Sequence, residues 1–165
     1  AIVSTYLQKN NLAKKVAIID LDVHQGNGTA SILKENKNVF ILDMHGEKNY
    51  PYEKIPSTVD VSLPDNTGDE EYLSILENKI AMVFDFEPDI VLYLAGVDPL
   101  KEDALGRLAL TKDGLRERDY MVLNECKKRN FPVSIALGGG YAKPIELTVE
   151  SYAQTYEVVK EVFFR

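Results

Sequence analysis

Asp20, Asp22 and His24 stand at alternate positions of IIDLDVHQGNGT, residues 18–29, where an apolar run turns into acids, an imidazole and then a glycine loop. In an extended segment, side chains two apart point the same way, so Asp22 and His24 would share one side. Asp98 follows another apolar run, IVLYLAG, and can join them if the two strand ends are neighbours. One imidazole and two carboxylates make a three-ligand site for zinc or a similar divalent ion, with the fourth position left open for water. Such an ion polarises a carbonyl and lowers the pKa of bound water. The competing reading is structural: Asp20 or Asp22 caps the following helix and His24 is a surface residue.

Asp20 and Asp43 pose a different question. They end their apolar runs with no lysine or arginine in the same motif. Buried carboxylates without partners are costly. A monovalent cation held by both acids and by loop carbonyls would relieve the cost; a purely hydrogen-bonding role would also do so. Finally, GGGY at 138–141 lets the backbone pass close to a ligand or adopt positive φ, and presents Tyr141 after a strand. A phenol there can donate to an oxyanion. A flexible turn followed by a core tyrosine is the alternative.

The elements that must position these groups alternate along the chain. Residues 15–20, 38–43, 89–95 and 132–137 are short runs rich in Val, Ile and Leu, the pattern of strands buried on both faces. Residues 58–63, TVDVSL, alternate and predict an edge strand. In 69–86, Tyr72, Leu73, Leu76, Ile80, Val83 and Phe84 fall on one helical face. Thr111 can cap the next helix, where Leu115, Val122 and Cys126 form a stripe, and a last helix covers about 146–163. The expected fold is α/β, a mostly parallel sheet with helices on both faces. In such sheets functional groups gather at the carboxyl ends of the strands. Asp20, Asp22, Asp43, Asp98, both histidines and Tyr141 would then sit on one rim.

Composition narrows the function class. The 165 residues suit one domain, 1–165, with a sizeable core. A net charge of -7, with no basic block, argues against nucleic acid or an anionic membrane as partner. Cys126 is the single cysteine, so neither an internal disulfide nor a cysteine-based zinc site is expected, and it reads as a core thiol. With no long apolar run and no signal-peptide pattern, the expected location is cytoplasmic. The opening AIVSTYLQKNNL reads as the back half of a helix without an N-cap, so the chain is expected to be a fragment of a longer protein.

Taken together, these motifs resemble the zinc-dependent histone deacetylases of the arginase/deacetylase superfamily. DLDVHQGNGT matches the family's Asp-x-Asp-x-His-x-Gly-Asn-Gly-Thr segment. AGVDPLKEDALGRLALT matches its Gly-x-Asp-x-Leu…Asp-x-Leu-Gly-x-Leu segment, and GGGY its tyrosine loop. ILDMH and LAGVD look closest to the class IV branch and its bacterial relatives. The resemblance implies one zinc ion held by Asp22, His24 and Asp98, with Tyr141 polarising the acyl carbonyl. It implies a structural potassium site using the Asp20 and Asp43 side chains and the main-chain carbonyls of Asp22, His24 and Met44. Asn27 takes the position that orients a catalytic histidine, and Gly139 and Gly140 look like part of the substrate-channel wall.

One departure is large. The family's general base comes from a tandem His-His motif upstream, whereas this chain has only His24 and His45. The first strands of the sheet and the loop acids that bind substrate backbone are missing too. The expectation is therefore the second half of a deacetylase domain, inactive alone and prone to self-association through the truncated face. Its parent would remove an acyl group from lysine in a protein or peptide, or from an acetylated polyamine. A non-catalytic metal-binding pseudoenzyme is one alternative. Another is a haloacid-dehalogenase-like, magnesium-dependent phosphatase, suggested by IIDLD but opposed by His24 where that family carries a hydroxyl residue.

Overall fold

The computed structural model describes residues 1–164. Five strands form one parallel sheet: β1 (Val16–Asp20), β2 (Val39–Gly46), β3 (Val59–Leu63), β4 (Ile90–Leu94) and β5 (Val133–Ala136). They lie in the order β3-β2-β1-β4-β5. Five helices connect and cover them: α1 (Ile2–Lys9), α2 (Asn27–Leu33), α3 (Asp69–Asp85), α4 (Lys112–Lys128) and α5 (Glu146–Phe163).

The larger core lies on one face, where Ala17, Ile19, Leu42, Met44, Val91 and Tyr93 of the sheet meet α3, α4 and α5. Tyr72, Leu76, Ile80 and Val83 form the buried stripe of α3, as the periodicity predicts. Truncating such a side chain, Leu76 to alanine for example, costs about 2–5 kcal/mol. Thr111 does cap α4, its hydroxyl accepting the Gly114 N–H at 3.0 Å. On the opposite face a smaller cluster, with Val16, Ile18, Val39 and Ile41, packs against Leu7 of α1 and Leu33 of α2. No helix of the described residues is long and apolar enough to cross a membrane.

Two strands differ from their sequence reading. Although 132–137 reads as buried on both faces, β5 is an edge strand with Ser134 and Ala136 exposed, because α1 and α2 lie over the other end of that face. The apolar run that ends at Asp43 does not end its strand. β3 pairs with β2 from Leu42↔Val59 to Gly46↔Leu63, which carries β2 on to Gly46. His45 therefore lies inside the sheet and is fully buried, not on the rim.

Candidate functional site

The rim above β1 and β4 is built by alternation. Leu21 continues the register past β1, its N–H donating to Leu94 O at 3.1 Å. Leu21 and Val23 are fully buried in the core, so Asp22 and His24 turn the other way. From β4, Ala95 and Val97 are buried likewise and Asp98 follows. Gly96 makes the approach possible: a β-carbon there would come within 2.7 Å of Asp22 Cα.

These segments bring Asp22, His24 and Asp98 together, one ligand atom of each lying within 4.8 Å of the others. His24 Nδ1 is 3.0 Å from Asp22 Oδ1 and 3.1 Å from Asp98 Oδ2. Each carboxylate is also held by backbone: Asp22 Oδ1 accepts the His24 N–H at 2.8 Å and Asp98 Oδ1 the Val23 N–H at 2.9 Å. Hydrogen bonds to Asp22 and then Asp98 raise the His24 pKa to about 10. Burial raises the Asp98 carboxyl, whereas at Asp22 the bonds to His24 outweigh a burial effect of opposite sign. One nitrogen and two oxygens, converging and anchored, suit a divalent cation with open positions. Neither acid supports the structural alternative: α2 has Gly26 at its N-cap and no side-chain cap, and His24 is half-buried.

Asp20 and Asp43 face each other in register across β1 and β2, with Asp60 next in the row on β3. Asp20 and Asp43 are buried, and among the described residues no lysine or arginine pairs with either. Burial and then the Asp43 charge push the Asp20 carboxyl well above its ordinary range, and burial raises Asp43 despite its bond to His45. Asp20 Oδ1 accepts the Asp22 N–H at 3.2 Å, and Asp43 Oδ2 the Gly26 N–H at 2.8 Å. His45 spans Asp43 Oδ1 at 2.8 Å and Ser62 Oγ at 3.0 Å. Met44 belongs to the core on the other face, its side chain turned away from these acids.

The tyrosine loop closes over the same rim. Gly139 and Gly140 have φ of +72° and +95°, and a β-carbon on Gly139 would collide with the Asp98 carboxylate. Tyr152 donates its hydroxyl hydrogen to Gly139 O. Tyr141 is 58% exposed, with its N–H donating to Asp103 Oδ2 at 2.6 Å. Asp103 also accepts the N–H groups of Leu105 and Gly106, both at 2.8 Å, so one buried carboxylate fixes two loops. Asn27 stands half-buried at the start of α2, its amide 3.4 Å from Glu53 O. Beside His24 opens a depression of about 530 Å³, flanked by Asn49, Tyr50, Tyr52 and Leu105.

Sequence reading missed Asp103, Arg118, Asp119 and Tyr152. Asp103 lay in view, inside the Asp-x-Leu-Gly stretch. Arg118 and Asp119 carried a signal as well, since two charged residues interrupt the apolar stripe Leu115–Val122–Cys126.

Comparison with known proteins bears on the fold and the family. The family profile of the histone deacetylase domain matches residues 1–158. An uncharacterized protein of the cyanobacterium Picosynechococcus is 40% identical over 164 residues, 99% of this chain and 55% of the relative. Histone deacetylase 2 of Arabidopsis thaliana is 37% identical over 133 residues, 78% of this chain and 34% of that protein. Among solved structures, the HDA15 HD domain superposes with a TM-score of 0.80 at 26% identity, covering 99% of this chain and 49% of the other. An acetylpolyamine aminohydrolase from Burkholderia pseudomallei shares the fold, with a TM-score of 0.80 at 20% identity over 98% of this chain and 48% of its own. The chain thus spans about half the length, or less, of these proteins. With both the α/β fold and the profile in agreement, the phosphatase alternative loses its ground, and the chain belongs to the histone deacetylase domain family.

Proposed function

We propose that this chain contributes the metal-ligand and oxyanion-stabilising side of a zinc-dependent deacetylase, acting on an acyl-amide of lysine in a protein or peptide, or of an acetylated polyamine. The observation that carries the reading is the convergence of Asp22, His24 and Asp98 within 4.8 Å in a member of this family. These three residues would hold one zinc ion. When bound, zinc polarises an acyl carbonyl and lowers the pKa of water.

The chain's own residues do the rest of what is accessible here. Backbone N–H groups fix both carboxylates before any ligand arrives, which lowers the reorganisation that binding requires. Gly139 brings the backbone against the metal ligands, and Tyr141 follows it with its main chain fixed by Asp103. The Tyr141 hydroxyl donates to the acyl oxygen as that oxygen gains charge. Asp20 and Asp43, buried side by side without a lysine or arginine partner among the described residues, would hold a potassium ion, which would offset their charge. A cytoplasmic setting suits Cys126, a buried thiol with its pKa pushed up to about 12.

Proton transfer needs a base from outside these residues. His24 Nδ1 faces two carboxylates, and His45 is buried between Asp43 and Ser62. This engagement of both histidines also favours a second reading, a metal-binding pseudoenzyme. Zinc titration of the protein and of its His24→Ala variant tests the metal site. Loss of one ligand of three must weaken an open site severely, and unchanged affinity would remove the assignment. Acyl-lysine hydrolysis by the protein joined to its family's histidine-bearing half separates enzyme from pseudoenzyme.

A further inference from the structure

Beneath the rim, α4 places a guanidinium where its apolar stripe calls for a hydrocarbon. Arg118 is fully buried, with Asp119 beside it. Burying a charge is unfavourable unless every donor finds a partner, and here the partners are specific. Nε and Nη2 donate to Asp119 Oδ1 at 3.0 and 2.8 Å. Nη1 donates to two main-chain carbonyls, Gly96 O at 2.6 Å and Leu21 O at 3.2 Å. Leu21 immediately precedes Asp22, and Gly96 stands two residues before Asp98. One planar nitrogen thus ties together the two segments that carry the carboxylates, at the point where they leave adjacent strands.

The clamp is itself anchored. Asp119 Oδ1 accepts the Tyr93 hydroxyl at 2.5 Å, and Oδ2 the Thr155 hydroxyl at 2.7 Å. Tyr93 belongs to β4 and Thr155 to α5, and both are buried. The connection runs from α5 through Asp119 and Arg118 to the backbone of the ligand-bearing loops. A buried ion pair is weak evidence for stability, since well-packed apolar residues commonly serve as well. What the apolar alternative cannot do is hold two carbonyls at a fixed separation.

We propose that Arg118 is a positioning residue that sets the spacing of Asp22 and Asp98 by clamping the Leu21 and Gly96 carbonyls. The inference rests on the proposed role of those two acids as metal ligands. Partners of this kind, one step behind the ligands, change metal affinity by about 10–100-fold when lost.

The test compares zinc affinity, by competition with a fluorescent chelator, with the thermal melt of the metal-free protein. Arg118→Lys keeps a positive charge but loses the planar fork. A fivefold variant, Tyr72→Phe, Tyr93→Phe, Arg118→Met, Asp119→Leu and Thr155→Val, makes the cluster apolar, the buried Tyr72 hydroxyl beside Arg118 included. Leu76→Ala destabilises the same core from α3 without removing any hydrogen bond of the clamp. The expected result is at least about a tenfold loss of zinc affinity in whichever Arg118 variants melt cooperatively, with wild-type affinity in Leu76→Ala whatever its melting temperature. Arg118 variants that bind zinc as the wild type does would overturn the proposal. So would zinc loss in Leu76→Ala in proportion to its instability, or failure of both Arg118 variants to fold, since Arg118 is then a folding element. If the wild type binds no zinc, or His24→Ala binds it equally well, the deacetylase reading itself falls and takes this inference with it.

Discussion

Gly139 lies directly against the Asp98 carboxylate, close enough that a β-carbon would collide with Asp98 Oδ2 and come 3.1 Å from Asp22 Oδ2. Its φ of +72° is in the left-handed region as well. Gly139→Ala therefore meets two obstacles, backbone strain of about 1–2 kcal/mol and displacement of a metal-ligand candidate. Gly138 offers the control, because nothing lies within 4 Å of a β-carbon there. We expect Gly139→Ala to lose zinc affinity in a chelator competition while Gly138→Ala keeps it. Equal affinity in the two variants would detach the tyrosine loop from the metal site.

Tyr141 is exposed and its main chain is fixed on both sides, by Asp103 and by the Ala104 N–H donated to Tyr141 O at 3.1 Å. Its side chain thus stays open to solvent while its main chain serves the fold. In an active domain containing this chain, Tyr141→Phe should lower kcat about a hundredfold, a loss of ~3 kcal/mol, with little change in KM. Steady-state kinetics that show wild-type kcat would take Tyr141 out of the mechanism.

Asp20 and Asp43 stay buried side by side without a lysine or arginine among the described residues. A bound potassium ion would stabilise the folded state by mass action, about 2.7 kcal/mol at a hundredfold excess over its dissociation constant. Thermal melts in potassium chloride and in choline chloride of the same ionic strength should differ for the wild type and coincide for Asp20→Asn. Coincident melts for the wild type would leave the pair with hydrogen-bonding roles alone.

How much of this arrangement the sequence discloses depends on whether the determinant is local. Asp22 and His24 are two apart, and the buried Leu21 and Val23 between and before them settle which way each side chain turns. The alternation is visible in a five-residue window. His45 follows the same local rule two residues after Asp43, yet its burial comes from β3, which pairs with the second half of β2. No local pattern announces that pairing. The edge position of β5 is equally non-local, since PVSIAL has a central strand's composition while Ser134 and Ala136 are exposed. Arg118 is intermediate: its place on an apolar stripe is legible, but the carbonyls it holds are 97 and 22 residues away.

Asp89 joins the loop before β1 to the start of β4. Its Oδ2 accepts the N–H groups of Lys14 and Lys15 at 2.7 and 2.8 Å, and its own N–H donates to Lys15 O at 2.8 Å. The bonds from Lys15 and Lys14 hold its carboxyl below the ordinary value. A depressed folded pKa contributes stability above the unfolded value, about 3.9, and that contribution is lost as pH falls through the folded value. Because Asp89 is exposed and screened, we take the effect of Asp89→Asn from the weakened hydrogen bonds, about 1 kcal/mol near neutral pH. Urea titrations should show the two proteins separating at neutral pH and converging below the unfolded carboxyl value. A constant difference at every pH would mean that the charge of Asp89 contributes nothing.

The two histidines decide what the 165-residue chain can do unaided. His24 turns Nδ1 into the Asp22–Asp98 pair, and His45 is buried with both ring nitrogens engaged. Zinc held at Asp22, His24 and Asp98 would still leave no imidazole free to take a proton from water or return it to the leaving amine. General acid–base help of that kind contributes about a hundred- to ten-thousandfold in rate. The purified chain with added zinc should accordingly show no appreciable turnover in a fluorogenic acyl-lysine assay, even where chelator competition shows zinc bound. Supplying a histidine-bearing segment of a family member in trans or as a fusion should restore activity. Full turnover by the chain alone would mean that the base is one of its own residues, and Tyr141 or Tyr152, beside Gly139, would be the first to substitute.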